Sequence, residues 1–291
     1  MNTERILVLG AGGWFGTTLL DQLCEHPAAN VLAIASTDRL HQVGTRTWQL
    51  HTWNRDRIRQ FAPTTVVNFA YLTRERFDAS NPQEYIDANM ALQAQFLEVA
   101  QLLSVRTVLT VSSGAAIAYR DDDNPYGRMK ATEEQQALDL VTDVRRVVVA
   151  RAWSVSGPFV RRPRAYAFSD FILQARAGHI HITADRLVYR RYVDVGDFLR
   201  VCRVRAAQGW SGVIDSGGPL VEMQELAEQI REVVQPAATV TRAELASDSP
   251  SVYASDGIDW DRACQESDVT PRTLEQQIAW SDANLRLGSL K

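Results

Sequence analysis

Short apolar runs alternate with amphipathic stretches through the first half of the chain. Runs rich in Val, Ile, Leu and Ala with few charges are typical of strands buried on both faces of a sheet. They cover Ile6 to Leu9, Val31 to Ala35, Thr65 to Phe69, Thr107 to Val111 and Val147 to Ala150. Helices are predicted for Gly16 to Cys24, Pro82 to Leu103 and Tyr126 to Leu140. This alternation predicts right-handed βαβ units and an α/β fold with a doubly wound parallel sheet.

The second half of the chain is less regular. A strand is predicted at Tyr192 to Val195 and a helix at Met223 to Val234, with polar segments and turn residues around them. We predict one domain over residues 1–152, to which about 193–215 return. The remaining residues, 153–192 and 216–291, are predicted to form a smaller C-terminal lobe that binds substrate.

Composition narrows the class of protein. The chain has 291 residues, 45% of them hydrophobic, and a net charge of -4, which predicts a globular protein that does not bind nucleic acid. Cys24, Cys202 and Cys264 show no metal-binding spacing, so we expect no metal and a cytoplasmic location. No apolar run approaches the roughly 18 residues of a membrane helix, so no membrane association is expected.

A glycine-rich turn follows the first predicted strand and opens the first predicted helix. Gly10, Gly13 and Gly16 have the spacing G-x-x-G-x-x-G. Glycine permits a tight turn and close approach of the backbone to a pyrophosphate, while free N–H groups of the helix face the anion. The motif predicts a Rossmann-type NAD(P)-binding domain over residues 1–152, with Trp14 and Phe15 also beside the cofactor.

The end of the second predicted strand bears on the choice of cofactor. Folds that select NAD place an acidic residue there to bind the adenine ribose. This chain has Ser36, Thr37, Asp38 and Arg39 after the strand. Two hydroxyls and a guanidinium suit the 2′-phosphate of NADP(H), which is the favoured cofactor. NAD is the alternative, with Asp38 on the ribose if the strand is longer.

Tyr126 and Lys130 form a Tyr-x-x-x-Lys motif on one face of a predicted helix. A nearby ammonium lowers the pKa of a tyrosine, which can then exchange a proton with a carbonyl or alcohol. Lys130 and Lys291 are the two lysines of the chain, which makes the spacing informative. Ser112 and Ser113 follow the fourth predicted strand, where a hydroxyl can donate to a substrate oxygen.

With these motifs the chain resembles the extended short-chain dehydrogenase/reductases of the NAD-dependent epimerase/dehydratase family, which modify nucleotide sugars. The segments VVNFAY, EYIDANMALQAQFLEVA, RAWSVSGP and YRRYVDVGDFLRVC extend the resemblance over most of the chain. The catalytic residues it implies are Ser113, with Ser112 as fallback, Tyr126 and Lys130. The further cofactor contacts it implies are Asn68, Phe69, Ala70 and Asn89, beside Tyr126 and Lys130 themselves. The substrate contacts it implies are Ser112, Ser154 and Arg190, the last on a phosphate.

Departures from the family pattern bear on the substrate and the reaction. Ser154 stands where many relatives have asparagine, and Arg191 and Asp194 replace the usual Asp and His. Gly114 and Ala115 stand where dehydratases carry the two acids that move protons during water loss. A dehydratase is therefore disfavoured, and the resemblance implies a nucleotide-sugar 4-keto reductase or 4-epimerase.

Two other function classes stay open at this point. A carbonyl reductase of a non-nucleotide small molecule would use the same Ser/Tyr/Lys set, and a non-catalytic NAD(P)-binding sensor or scaffold would need only the glycine-rich turn. Retention of Ser113, Tyr126 and Lys130 favours an enzyme. The resemblance also implies a homodimer that packs through the helices beginning at Pro82 and Tyr126.

Overall fold

The computed structural model describes residues 4–26, 29–119 and 124–285. The strands are β1 Arg5–Leu9, β2 Asn30–Ile34, β3 Arg39–Val43, β4 Arg46–His51, β5 Thr65–Asn68, β6 Thr107–Ser113, β7 Arg146–Ala152, β8 Ser154–Ser156, β9 His179–Ile182, β10 Arg186–Asp194, β11 Gly212–Asp215, β12 Leu220–Glu222, β13 Thr239–Arg242 and β14 Ser247–Tyr253. The α-helices are α1 Trp14–Cys24, α2 Arg55–Phe61, α3 Pro82–Ala100, α4 Ala115–Ala118, α5 Tyr126–Leu138, α6 Ala167–Arg176, α7 Val195–Ala207, α8 Met223–Val234, α9 Ile258–Ser267 and α10 Leu274–Asn284.

The chain divides into two compact units. One contains residues 1–151 and 202–214, and the other contains residues 152–201 and 215–291. The segment that returns to the first unit begins at Cys202, in the middle of α7.

The first unit is built on an eight-stranded sheet with the order β11-β7-β6-β5-β1-β2-β4-β3. β1 pairs in parallel with β2 on one side and with β5 on the other, so the strand order reverses at β1. In open α/β sheets a ligand binds beyond the carboxyl ends of the strands at such a reversal. The predicted α/β class with a mostly parallel central sheet is confirmed.

The hydrophobic core of the first unit lies on the sheet. Leu7, Val66, Val108 and Val147 belong to neighbouring strands and are fully buried in one cluster, into which Phe96 of α3 packs. Strands buried in this way are continuous aliphatic runs in the sequence. Their predicted ends therefore lie within two residues of the ends in the structure.

The hairpin of β3 and β4 was not predicted. These strands pair antiparallel around Gly44 and Thr45, and β4 adds to β2 at the edge of the parallel sheet. Their sequence alternates between exposed and buried side chains, as is typical of an edge hairpin with one solvated face. The two-residue connection between alternating segments was the available signal. The hairpin matters because it carries Arg39 on its first strand.

Among its described residues, the second unit holds two small sheets and four whole α-helices. β10 pairs with β12, β14 and β8, and β9 pairs with β13. The predicted strand at Tyr192 begins earlier, at Arg186, because the polar residues of β10 lie on a partly exposed ladder. Helix α8 has the predicted ends, and α10 begins with a capping box in which the side chains of Thr273 and Gln276 bind each other's backbone.

Over the described residues, no helix is long and apolar enough to span a membrane. Within the same ranges, no group of three or more His, Cys, Asp or Glu side chains could hold a metal ion. The three cysteines are free thiols.

Candidate active site

The glycine-rich turn connects β1 to α1 and packs closely on the end of β5. Gly10 has φ +75, a left-handed conformation that glycine adopts without strain, and a Cβ there would lie 2.6 Å from the carbonyl carbon of Phe69. A Cβ on Gly16 would overlap the carbonyl oxygen of Gly10. Gly13 caps α1 with no side-chain acceptor for the first N–H groups of the helix. The turn is thus shaped to bring main-chain donors against an anion.

The aromatic residues after the turn extend its contact with the loop after β5. Trp14 and Phe15 are the first two residues of α1. The ring of Phe15 lies 5.9 Å from the ring of Phe69, centre to centre. Phe69 and Ala70 follow β5 directly, so the loops after β1 and β5 are joined by both main-chain and ring contacts.

The end of β2 presents hydroxyl and guanidinium groups. Ser36 and Thr37 are exposed, and Arg39 Nη1 donates to Thr37 Oγ1 at 2.8 Å. The other end of the guanidinium lies over the glycine-rich turn, where a Cβ on Gly12 would overlap Arg39 Nη2. Arg39, Thr37 and the turn therefore surround one place at the edge of the sheet.

Asp38 points elsewhere. Its carboxylate accepts from the backbone N–H and the hydroxyl of Thr52, at 3.0 and 3.1 Å, and lies 3.6 Å from His51 Nδ1. The hydrogen bonds from Thr52 hold the pKa of Asp38 below its usual value. The carboxylate thus ties the end of β4 to the loop after β2.

Asn68 and Asn89 both act on the loop after β5. Asn68 Oδ1 accepts from the Ala70 N–H at 3.1 Å, and its Nδ2 donates to Thr110 Oγ1 at 3.3 Å. Asn89 is fully buried on α3; its Oδ1 accepts from the Leu72 N–H at 2.8 Å and its Nδ2 donates to the Leu72 carbonyl. The amide of Asn89 is therefore engaged by the protein backbone. The sequence predicts Asn89 as a cofactor contact. In the structure its side chain shapes the loop after β5, because a buried amide must satisfy its hydrogen bonds.

Ser112 and Ser113 close β6, and both are buried. Ser113 Oγ accepts from the Ala115 N–H at 3.2 Å, across the turn into α4. Ser112 Oγ is buried and has no hydrogen-bond partner among the described residues. A buried hydroxyl without a partner is costly, so Ser112 has a donor and acceptor to offer a bound molecule.

Tyr126 and Lys130 lie one turn apart at the start of α5. Asn124 Oδ1 accepts from the Tyr126 N–H at 2.9 Å, which starts the helix at the tyrosine. Lys130 is only 4% exposed, and its Nζ donates to the carbonyl oxygen of Val111 on β6 at 3.4 Å. The lysine thereby reaches the end of the strand that carries Ser112 and Ser113.

Two residues that sequence reasoning missed complete this cluster. The Lys130 ammonium lies 3.4 Å from the ring centre of Tyr71 and 2.9 Å from Glu133 Oε2. The ring of Tyr71 meets that of Tyr126 edge to face, with centres 5.6 Å apart. The i, i+3 spacing of Lys130 and Glu133 was a signal for their pairing. No local pattern pointed to Tyr71, which reaches α5 only through the packing of the loop after β5.

Glu134 makes a separate ion pair. Arg151 Nε and Nη2 donate to its two carboxylate oxygens at 2.8 and 2.6 Å, and both side chains are nearly buried. This bidentate contact binds α5 to β7. It also leaves Glu133 as the carboxylate that faces Lys130.

Two of the predicted substrate residues, Ser154 and Arg190, lie in the second unit, whereas Ser112 lies in the first. Ser154 begins β8 opposite Tyr192 of β10 and is partly exposed. Arg190 is half-buried on β10; its Nη1 donates to the carbonyls of Tyr189 and Ser251, and its guanidinium lies 5.6 Å from the ring centre of Tyr253. One nitrogen of Arg190 is thus held by the protein itself.

The two altered positions beside Arg190 have structural partners. Arg191 donates to the carbonyls of Ser255 and Gly218 at 3.1 and 2.8 Å, which ties together the loops around it. Asp194 accepts from the N–H groups of Gly196 and Asp197 at the start of α7. Burial raises the pKa of Asp194 to about 6, while the Arg272 guanidinium at 3.1 Å opposes the rise.

The arginine-rich segment after β8 is solvated. Arg161, Arg162 and Arg164 are exposed, and Arg164 pairs with Asp170 of α6 at 3.0 Å. Surface pairs of this kind contribute little to stability.

Comparison with known proteins agrees with this arrangement. Residues 6–213 match the NAD dependent epimerase/dehydratase family. The chain belongs to this family. The predicted membership and the prediction of an NAD(P)-dependent enzyme of the short-chain dehydrogenase/reductase type are thereby confirmed.

Similar proteins carry the same fold and a range of activities. UDP-glucuronic acid decarboxylase 6 of Arabidopsis thaliana is 24% identical over 84% of this chain and 79% of its own. UDP-glucose 4-epimerase from Brucella ovis, solved with NAD, superposes with a TM-score of 0.77 at 18% identity, covering 97% of this chain and 98% of that one. RMD from Pseudomonas aeruginosa, solved with NADPH, has a TM-score of 0.71 at 19% identity over 97% of this chain and 99% of that one.

The contact between Gly10 and Phe69 leads to a prediction for Gly10→Ala. The left-handed φ alone costs about 1–2 kcal/mol for a residue with a Cβ. Gly178 has φ +91 with nothing within 4 Å of its Cβ position, so Gly178→Ala measures that cost alone. We expect Gly10→Ala to lose more stability in urea titrations than Gly178→Ala, because it also displaces the loop after β5. It should weaken NAD(P) binding by about tenfold or more, since the loops around the cofactor no longer fit. Equal effects of the two substitutions would contradict this account.

Proposed function

We propose that this enzyme modifies a nucleotide sugar with NAD(P), as a 4-keto reductase or a 4-epimerase, with Tyr126 as the proton-transfer residue. The observation that carries the proposal is the position of Lys130. Its ammonium is buried at the carboxyl end of β6 and lies over the ring of Tyr71. The same ring contacts the ring of Tyr126. This places a fixed positive charge in the cluster that contains the tyrosine and the two serines.

The residues of the cluster divide the proton chemistry among them. Bound NAD(P) supplies or accepts the hydride at the sugar carbon. Tyr126 gives its phenol proton to the oxygen when a ketone is reduced, and takes a proton from the alcohol in the reverse direction. Lys130 favours the tyrosinate form by its charge. The hydroxyl of Ser113, or of Ser112, donates a hydrogen bond to the same substrate oxygen as its charge grows.

The choice between reaction types rests on the residues after β6. Gly114 and Ala115 offer no carboxylate for removal of water, so hydride transfer coupled to one proton transfer is the chemistry this site supplies. A reductase consumes the reduced cofactor. An epimerase takes hydride from the sugar onto the oxidised cofactor and returns it to the opposite face of the ketone, which regenerates the oxidised cofactor. UDP-glucuronic acid decarboxylase 6 and the UDP-glucose 4-epimerase are named for UDP-sugars, which supports a nucleotide diphosphate group in the substrate. We assign its recognition to the second unit, with Arg190 on a phosphate and Ser154 beside it.

We further propose NADP(H) as the preferred cofactor. The support is the pair of Thr37 and Arg39 at the edge of the sheet, with the Arg39 guanidinium against the glycine-rich turn. Asp38, the acid between β2 and β3, is bound by Thr52 and lies beside His51. A 2′-phosphate would meet the hydroxyls of Ser36 and Thr37 and the guanidinium of Arg39, which suits an anion.

Arg39→Ala tests the cofactor assignment. Hydrogen bonds to charged groups contribute about 1.5–3 kcal/mol, so the ratio of kcat/KM for NADPH over NADH should fall by about 10- to 100-fold. Efficiency with NADH should change little. Arg59→Ala, which removes an exposed guanidinium from α2, is the matched control and should leave the ratio unchanged. A wild-type preference for NADH would overturn the assignment.

Tyr126→Phe tests the proton-transfer role. Loss of a general acid–base group lowers kcat by about 10²- to 10⁴-fold. Binding of NAD(P), measured by fluorescence titration, should change little because the ring is retained. Wild-type and variant are assayed with UDP-, dTDP- and GDP-linked 4-keto sugars and hexoses. NADPH oxidation identifies a reductase, and a change of sugar configuration seen by NMR without net cofactor turnover identifies an epimerase.

The same assay separates the remaining function classes. Full activity of Tyr126→Phe would exclude the mechanism. Turnover of simple ketones with none of nucleotide sugars would favour a small-molecule carbonyl reductase. Cofactor binding without turnover of either class would favour a sensor or scaffold.

We propose in addition that the protein forms a homodimer through α3 and α5. Met90, 61% exposed on α3, lies on a surface that such packing would cover. Light scattering after gel filtration should give twice the chain mass, and Met90→Glu should shift the population towards the monomer. A monomeric wild-type protein would contradict the proposal.

A further inference from the structure

Lys130 has three kinds of partner, and one of them is an anion. Its Nζ lies 2.9 Å from Glu133 Oε2, 3.4 Å from the carbonyl oxygen of Val111 and 3.4 Å from the ring centre of Tyr71. The side chains of Lys130 and Glu133 are 6% and 15% exposed. A buried ammonium is stable only when it is paired, and these contacts supply the pairing.

The charge on Glu133 is compensated mainly by Lys130. The groups that face it are Lys130 and Glu134 of α5, with Tyr71 from the loop after β5 and Tyr85 of α3 nearby. Burial raises the pKa of Glu133, and the ammonium of Lys130 opposes that rise. Glu134 cannot replace Glu133 at the lysine, because Arg151 holds both of its oxygens.

Tyr71 links this ion pair to Tyr126. One face of its ring receives the ammonium, and the ring meets Tyr126 edge to face. Burial keeps the pKa of Tyr71 above its usual value, so its phenol stays neutral. The sequence of contacts therefore runs from Glu133 through Lys130 and Tyr71 to Tyr126.

We propose that Glu133 is a positioning residue, whose carboxylate holds the Lys130 ammonium on the ring of Tyr71 and weakens the positive field that reaches the Tyr126 hydroxyl. The first half of this statement concerns the protein alone; the second half rests on the proposed function. Tyrosinate is favoured by a positive charge and disfavoured by a negative one. A Lys–Glu pair therefore lowers the pKa of Tyr126 less than a lysine alone would.

The substitution Glu133→Gln should change the electrostatic field at Tyr126. Removing the carboxylate leaves the ammonium without its anion. The ammonium then acts on Tyr126 without compensation, so the pKa of Tyr126 falls. In the oxidative direction tyrosinate is the base, and the acidic limb of the profile of kcat/KM moves to lower pH. In the reductive direction phenol is the acid, and the alkaline limb moves to lower pH.

The lysine content of the chain permits a direct test without substrate. Because Lys130 and Lys291 are the two lysines, lysine labelled with ¹³C at Cε gives two resonances, and Lys291→Arg assigns them. In spectra of the whole protein, Glu133→Gln should shift the resonance of Lys130 and leave that of Lys291 unchanged, because the carboxylate 2.9 Å from the ammonium is removed. Glu98→Gln, which removes a carboxylate bound by Arg55 on the surface, should shift neither resonance. An unchanged Lys130 resonance in Glu133→Gln would overturn the proposal that Glu133 holds Lys130.

Activity measurements test the proposed influence of Glu133 on Tyr126. Glu133→Gln should shift the limb assigned to Tyr126 to lower pH by about half a pH unit or more, and Glu133→Asp, which keeps the charge, should restore much of the wild-type profile. If the pH profile of kcat/KM is unchanged while the Lys130 resonance shifts, the proposed influence of Glu133 on Tyr126 is wrong, and the contact between Glu133 and Lys130 still stands. If the wild-type protein turns over no nucleotide sugar, only the proposed function is contradicted. The Lys130 resonance reports on the contact with Glu133 and requires no turnover.

Tyr71 provides a second set of variants. Tyr71→Phe keeps the ring face and should leave the Lys130 resonance close to its wild-type position. Tyr71→Leu removes the ring and should shift the Lys130 resonance, because the cation–π contact is lost. Equal resonance positions for the two variants would show that Tyr71 takes no part in holding the lysine.

Discussion

The parallel pairing of β1 with both β2 and β5 is the constraint on which the site depends. It brings the carboxyl ends of three strands to one edge, and the loops that leave them must share that space. Gly10 resolves the crowding after β1, because its missing Cβ lets the turn lie directly on the backbone of Phe69. Once that contact exists, the loop after β5 has a defined course, and Asn89 secures it through both backbone groups of Leu72.

The course of this loop in turn determines the surroundings of Lys130. Tyr71 lies between Ala70, which Asn68 fixes, and Leu72, which Asn89 fixes. Its ring is therefore presented to α5 at a set position, where it covers the lysine and meets Tyr126. A main-chain contact made by a glycine is thus connected to the electrostatics of a tyrosine through a short series of packed groups.

The buried carboxylates of α5 are each paired with a cation. Glu134 and Arg151 join α5 to β7, and Glu133 and Lys130 face the end of β6. Adjacent carboxylates on one helix would repel each other in a buried setting, and separate cationic partners relieve that cost. At the edge of the sheet, Asp38 is likewise bound by Thr52, which leaves Arg39 as the charge beside the glycine-rich turn.

The sequence by itself determined the alternation of strands and helices, the glycine-rich turn and the Tyr126–Lys130 spacing, because each is a local pattern with a local physical cause. Aliphatic runs mark strands buried on both faces, and residues four apart share a helix face. Tertiary structure decided the rest. The hairpin that carries Arg39 is polar on one side, so its strands can be identified only from their pairing with β2. Tyr71 comes to Lys130 from 59 residues away, and the amide of Asn89 binds the backbone of Leu72, because buried groups take the partners that packing brings to them.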